Sequence, residues 1–176
     1  RTTKGASPSV APLIDLVNVI TAPVLTLSKS VASSAALPGD TLIYQLNLRN
    51  SGGSAALSGA SVSVDGTNLS PVLVRDALPP NTTLAVSIPT LAGTIALYHR
   101  VGDPDSNYVS VPPADLNTVD AVAWAIATVP VGANFSLSFS VRIHSNAALN
   151  GSGSVVNTGQ GFYTNGATPG ATQILS

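Results

Sequence analysis

Residues 134–143, NFSLSFSVRI, alternate without a fault. Phe135, Leu137, Phe139, Val141 and Ile143 fall on one side, and Ser136, Ser138, Ser140 and Arg142 on the other. Successive side chains of a strand point to opposite faces, whereas a helix would scatter these apolar residues around its axis. The stretch is therefore a strand with one face on a core and one in water, as in an antiparallel sheet. Residues 41–50, TLIYQLNLRN, repeat the pattern: Leu42, Tyr44, Leu46 and Leu48 oppose Thr41, Gln45, Asn47 and Arg49, with Ile43 out of step. Pro38-Gly39-Asp40 and Asn50-Ser51-Gly52-Gly53 bracket it as turn signals.

Weaker strand patterns fill the rest. They lie at 24–31, 59–66, 71–76, 83–89, 94–101, 120–129 and 154–164, separated by Gly, Pro and Asn clusters. Many short strands so punctuated indicate an all-β sandwich or barrel. Residues 113–124 are the nearest helical candidate, worth a single turn. The predicted core holds Leu42, Tyr44, Leu46, Trp124, Phe135, Leu137, Phe139 and Val141, with Val122 and Ile126 beside Trp124.

Composition agrees. Charged residues are 9% of 176, all eight acids are Asp, and lysine stands only at positions 4 and 29. Ser, Thr and Asn carry the polarity, and they favour strands and turns over helix interiors. The net charge of −1 has no basic cluster, so no nucleic-acid partner is expected. The longest mainly apolar run, LIDLVNVI at 13–20, contains Asp15 and Asn18 and is too short for a membrane span of about 20 residues. Cysteine is absent, so no disulfide or thiolate metal site exists. The sparse charge suits an extracellular, cell-surface protein. An Arg at position 1 is what removal of a leader would leave, as would cloning of a fragment.

From residue 24 to 166 the order of motifs resembles a family of surface repeats from bacterial and archaeal cell-envelope proteins, itself a domain of unknown function. The motifs are LTLSKSV, LPGDTLIYQLNLRNSGG, VLVRDALPPNTTL, WAIATVPVGANFSLSFSVRI and VVNTGQGFYTNG. The resemblance implies an immunoglobulin-like antiparallel β-sandwich, in adhesins, sheaths, layers or filaments. Residues 76–120 are long for that family, and 1–23 lie outside the match. The expected organisation is an N-terminal extension, 1–23, followed by a sandwich domain, 24–176.

Few residues suggest chemistry. His99 and His144 are the only histidines, read as exposed or half-buried, and no Gly-x-Ser-x-Gly elbow exists. Nothing singles out a pair of Asp for glycoside chemistry. No enzyme and no cofactor are expected. The one metal-like cluster, Asp103, Asp105 and Asn107, has the alternate spacing of calcium ligands. Tyr108 and Ala114 stand where a calcium loop needs Gly and Glu, so a polar turn is favoured. Sequons start at Asn68, Asn81, Asn134 and Asn150. Tyr44, Tyr98, Tyr108, Tyr163 and Trp124 form either a carbohydrate platform or, as their patterns favour, packing.

The apolar segment 9–23, SVAPLIDLVNVITAP, is surplus to the first strand of the domain. Leu13, Ile14, Leu16, Val17, Val19 and Ile20 must be covered, since exposed apolar runs aggregate. The expected function is a structural subunit that assembles with copies of itself into a filament or layer, this segment serving as a donor strand. The alternative is an adhesive module whose partner is a surface glycan or host protein; an envelope hydrolase ranks last.

Overall fold

The structure, a computed structural model, describes residue 19, residues 21–145 and 155–164, and the backbone of 173–175. Among the described residues twelve strands form: β1 Leu25–Val31, β2 Thr41–Asn50, β3 Val62–Val64, β4 Thr67–Leu69, β5 Val72–Ala77, β6 Thr82–Leu84, β7 Thr94–Arg100, β8 Asn107–Tyr108, β9 Val119–Ile126, β10 Asn134–Ile143, β11 Gly159–Tyr163 and β12 Gln173–Leu175. The helical candidate is one 3-10 turn, Leu116–Thr118, capped by the Asp115 side chain. Among the described residues no helix is long and apolar enough to cross a membrane.

Two sheets pack face to face as an antiparallel, immunoglobulin-like sandwich. The first has the order β1-β2-β10-β6 and the second β12-β11-β5-β9-β7. Leu46, Leu48, Leu137, Val141, Val74, Val122, Trp124 and Ile126 meet between them, almost wholly removed from water. Seven of the eight predicted core residues are buried; Phe135, at the start of β10, is half-buried against the same core. Ile43, the misfit in β2, is exposed.

A third layer covers the outer face of the second sheet. The small sheet β4-β3-β8 sets Val62, Val64 and Tyr108 on Leu73, Leu97, Ala123 and Ala125. Strand β9 is thus buried on both faces, which is why VDAVAWAI reads as nearly continuous apolar sequence. The long segment after β7 supplies β8, whose two residues pair in parallel with β3.

The opening turns are stitched to their surroundings. Gly39 takes φ +94°, a value that favours glycine, and its N–H donates to Ile143 O at 3.0 Å. Asn50 is fully buried and satisfied at every site. Its Nδ2 donates to Ser54 O and Val129 O, and its Oδ1 accepts from Val24 N and Gly52 N. A side chain on Gly52 would lie 2.3 Å from Val24 N, so the chain entering β1 rests directly on this turn.

Leu137→Ala should cost ~2–5 kcal/mol, since the site is enclosed on all sides and cannot collapse freely. Urea unfolding checks it; a cost near zero would mean that this face of β10 is not core.

Candidate functional site

Three polar residues occupy positions where the strands call for apolar ones. Lys29 is in phase with Leu25 and Leu27 on β1. Asp76 is in phase with Val72 and Val74 on β5. Asn157 precedes β11, in phase with Val155 and Gly159. All three point between the two sheets. Lys29 Nζ donates to Asp76 Oδ2 across the sandwich. The same ammonium lies 4.7 Å from the centre of the Tyr44 ring and 5.6 Å from that of Phe139. Those rings stack with centroids 5.2 Å apart, and Trp124 tilts against Phe139 at 6.3 Å.

The Asp76 side chain is 0% exposed. Asn157 lies beside it, close enough for its amide to stabilise the ionised carboxyl. Even so, Asp76 Oδ1 and Asn157 Nδ2 are buried without a well-formed hydrogen bond. Two such atoms side by side are unusual, because an unpaired buried polar group costs about 1–3 kcal/mol. Gly159 pairs with Asp76 in register. A Cβ there would lie 2.6 Å from Leu46 Cδ2, 3.2 Å from Asp76 Oδ2 and 3.7 Å from Lys29 Cδ, so β11 lies flush on the pair. Lys29, Tyr44 and Asn157 also line a cleft of about 540 Å³ that opens past the end of β1.

Burial dominates the electrostatics. It pushes the Asp76 carboxyl up from 3.8 to about 6, against the opposing hydrogen bond and charge of Lys29 and the Asn157 hydrogen bond. Burial lowers the Lys29 amine, opposed by the Asp76 hydrogen bond and charge. Burial, then the Asp76 charge, raises the Tyr44 hydroxyl. Both members of the pair are thus driven toward their neutral forms, an amine and a carboxylic acid.

Residues 21–175 match the family described as Domain of unknown function (DUF7925). The chain belongs to this family. No curated protein matches it. The family match takes in Lys29, Asp76 and Asn157, and residues 1–20 lie outside it.

Within this family member the sequence candidates are placed as follows. Asp103 and Asn107 line a second cleft, of about 280 Å³, with Asp65 and Arg100. Asp103 accepts from Arg100 Nε at 3.0 Å, while Asp105, 96% exposed, stands 4.0 Å from Arg75. The two carboxylates are therefore split between two arginines. Among the described residues no three His, Cys, Asp or Glu side chains converge as a metal site.

His99 is a correction: it is buried, not exposed or half-buried. Its Nδ1 meets Asp120 Oδ1 and its Nε2 meets Pro104 O at 3.2 Å. Through these two contacts the ring ties the 103–106 loop to β9. His144 is exposed. Tyr44, Tyr98, Tyr108, Tyr163 and Trp124 are all buried, so they form no surface platform. Asn68, Asn81 and Asn134 are exposed; Asn150 lies outside the described residues. Of the proposed subunit interface, Val19 is described and exposed, whereas Leu13, Ile14, Leu16, Val17 and Ile20 lie outside the described residues.

The sequence reading missed the Lys29–Asp76–Asn157 centre. The signal was present: two charges and an amide fall in the apolar phase of three strands.

Proposed function

We propose that this chain is an extracellular structural subunit that joins copies of itself into a filament or surface layer, donating the segment 9–23 to an open sheet edge of a neighbour. The observation that carries this is the outer edge of β10. Its other edge pairs with β2 along Asn134–Arg142, but β6 covers the outer edge only at Val141–Ile143, with one more bond from Ala85 N to Ser140 O. Among the described residues no strand pairs with the outer edge of 134–139. An unpaired edge of this length beside half-buried Phe135 is a template for an added strand.

The exit of the N-terminal segment supports the same reading. Ala22–Val24 is clamped on the Asn50–Gly53 turn, which also bonds Gly132 and Ala133 at the start of β10. Val19 is 74% exposed in the single chain. The apolar segment 9–23 therefore joins the domain at the end where the open edge begins. A head-to-tail contact of this kind does not close on itself and propagates. The burial of the five large aromatics removes one surface that an adhesive module would use.

Deleting residues 1–22 tests the proposal. The shortened chain should remain folded, fail to polymerise, and bind a synthetic 9–23 peptide. Electron microscopy and analytical ultracentrifugation read the result. A shortened chain that still assembles, or a full chain that stays monomeric at high concentration, would overturn it; the second outcome would leave the segment folded on its own domain or the chain acting as an adhesive module.

A further inference from the structure

We propose that Lys29 and Asn157 are joined by an intramolecular amide bond, formed within the folded domain with Asp76 as proton carrier and with release of ammonia. This stands independently of the assembly proposal, because a monomer would carry the bond equally well.

The geometry supplies what such a reaction needs. A lysine amine is a nucleophile only without its third proton, and it is activated by removal from water. Lys29 Nζ lies against the stacked Tyr44 and Phe139 rings with Asp76 Oδ2 as its acceptor. Asp76 is buried completely and its second oxygen, Oδ1, makes no well-formed hydrogen bond. The Asn157 amide lies beside that carboxyl, its Nδ2 buried and short of ordinary hydrogen-bond geometry. Gly159, two residues on, lets the backbone of β11 press against both Lys29 and Asp76. The three groups are thus held together by strands from both sheets, and positioning of this kind replaces much of the entropy cost of a bimolecular step.

The electrophile is Asn157 rather than Asp76. The Asp76 carboxyl already exchanges a proton with the amine, and in its ionised form it resists attack. The neutral Asn157 amide does not. The atoms balance as follows. A proton passes from the Lys29 ammonium to Asp76, leaving a neutral amine. The Nζ lone pair attacks Asn157 Cγ and forms the new C–N bond, while the protonated Asp76 stabilises the charge that develops on the amide oxygen. A second proton leaves Nζ and reaches Nδ2 through the Asp76 carboxyl. The Cγ–Nδ2 bond then breaks and ammonia departs through the cleft. Lys29 has lost two protons, one to Asp76 and one to ammonia. No oxidation state changes and no cofactor enters.

The bond would tie β1, at an edge of the first sheet, to the segment that enters β11 in the second. Tension applied to the two ends of the domain would then run through a covalent link rather than through strand hydrogen bonds. That property suits a subunit in a chain under load.

Mass spectrometry of the intact, denatured full chain tests this. The expected mass is that of the sequence less one ammonia. Asn150-Gly151 and Asn165-Gly166 can lose ammonia by succinimide formation, so the site must be located. Trypsin does not cut at an acylated lysine, so digestion should yield a branched product joining residues 5–49 to 143–176. Lys29→Arg should restore the full mass, and Asn157→Asp should give the same branched product with loss of water instead of ammonia. An unmodified wild-type mass, a wild-type deficit without the branched product, or a branched product joining 5–49 to 76–100 would each overturn the proposal; the last would place the bond on Asp76. The wild-type measurement decides the question even if a variant fails to fold.

Discussion

Replacing the buried pair by apolar residues, Lys29→Met together with Asp76→Val, should lower the unfolding free energy by about 4–5 kcal/mol. The size follows from chain entropy. A link between positions 29 and 157 closes a loop of about 130 residues in the unfolded chain, and long loops lose the most freedom when closed. The amide proposed here acts on the unfolded state as a disulfide would. A plain ion pair predicts the opposite sign. Two charges taken from water repay their desolvation poorly, and apolar replacement of such a pair is commonly neutral or stabilising by about 1–4 kcal/mol. Packing errors at Gly159 and Leu46 would add a cost of their own. The same double replacement in an Asn157→Ala chain isolates that cost, because there the bond cannot form. The expected pattern is a large loss in the wild-type background and little loss or a gain in the Asn157→Ala background, both from urea or guanidinium midpoints. Equal effects in the two backgrounds would mean that no bond contributes.

The strands that the sequence made plain were those with one wet face. Residues 134–143 alternate strictly and 41–50 do so but for Ile43, and β2 and β10 occupy those same bounds. Burial on both faces erases alternation. Ala123 and Ala125 read as small flanking residues, yet they carry the third layer. Strands of two or three residues, β4 and β8, lie below what periodicity can resolve. The 83–89 pattern shrank to Thr82–Leu84, because beyond Ala85 no neighbour pairs with the backbone and Ile88 N donates to the Tyr98 hydroxyl instead. The Lys29 centre was half legible. Lys29, Asp76 and Asn157 each stand at an apolar-phase position, but only the packing of the two sheets brings positions 29, 76 and 157 together. The alternate spacing of Asp103, Asp105 and Asn107 does not reveal charge partners: Arg75, distant in sequence, faces Asp105, and Arg100, three residues before Asp103, faces that carboxylate.

An Asn157→Ala chain, in which the Lys29 amine and the Asp76 carboxyl both stay free to titrate, should be least stable near neutral pH. Burial holds the Asp76 carboxyl at about 6, above its ordinary 3.8. Between those values the folded chain keeps a proton that the unfolded chain has lost, so stability falls as pH rises through the window. The loss from about pH 4 to about pH 7 is on the order of 3 kcal/mol, two units of displacement at a buried group. Removing the Asn157 amide takes away one contact that favours the ionised form, so the window moves up rather than down. Lys29 acts in the opposite sense. Its pKa is lowered from 10.5, mainly by burial, so stability recovers as pH rises toward 10.5 and the unfolded chain must give up the same proton. Tyr44, the remaining titratable group against the pair, is raised by burial and stays neutral through both windows. In the wild-type chain Lys29 is an amide and cannot take up a proton. The alkaline recovery should therefore vanish there, while Asp76, now without its cation, keeps its acid-side dependence. Unfolding midpoints from about pH 4 to about pH 10 for both chains, each with its Asp76→Asn counterpart to subtract other groups, read out the two windows. A wild-type chain that recovers stability in alkali as the Asn157→Ala chain does would show a titrating amine at position 29, and the bond would not exist.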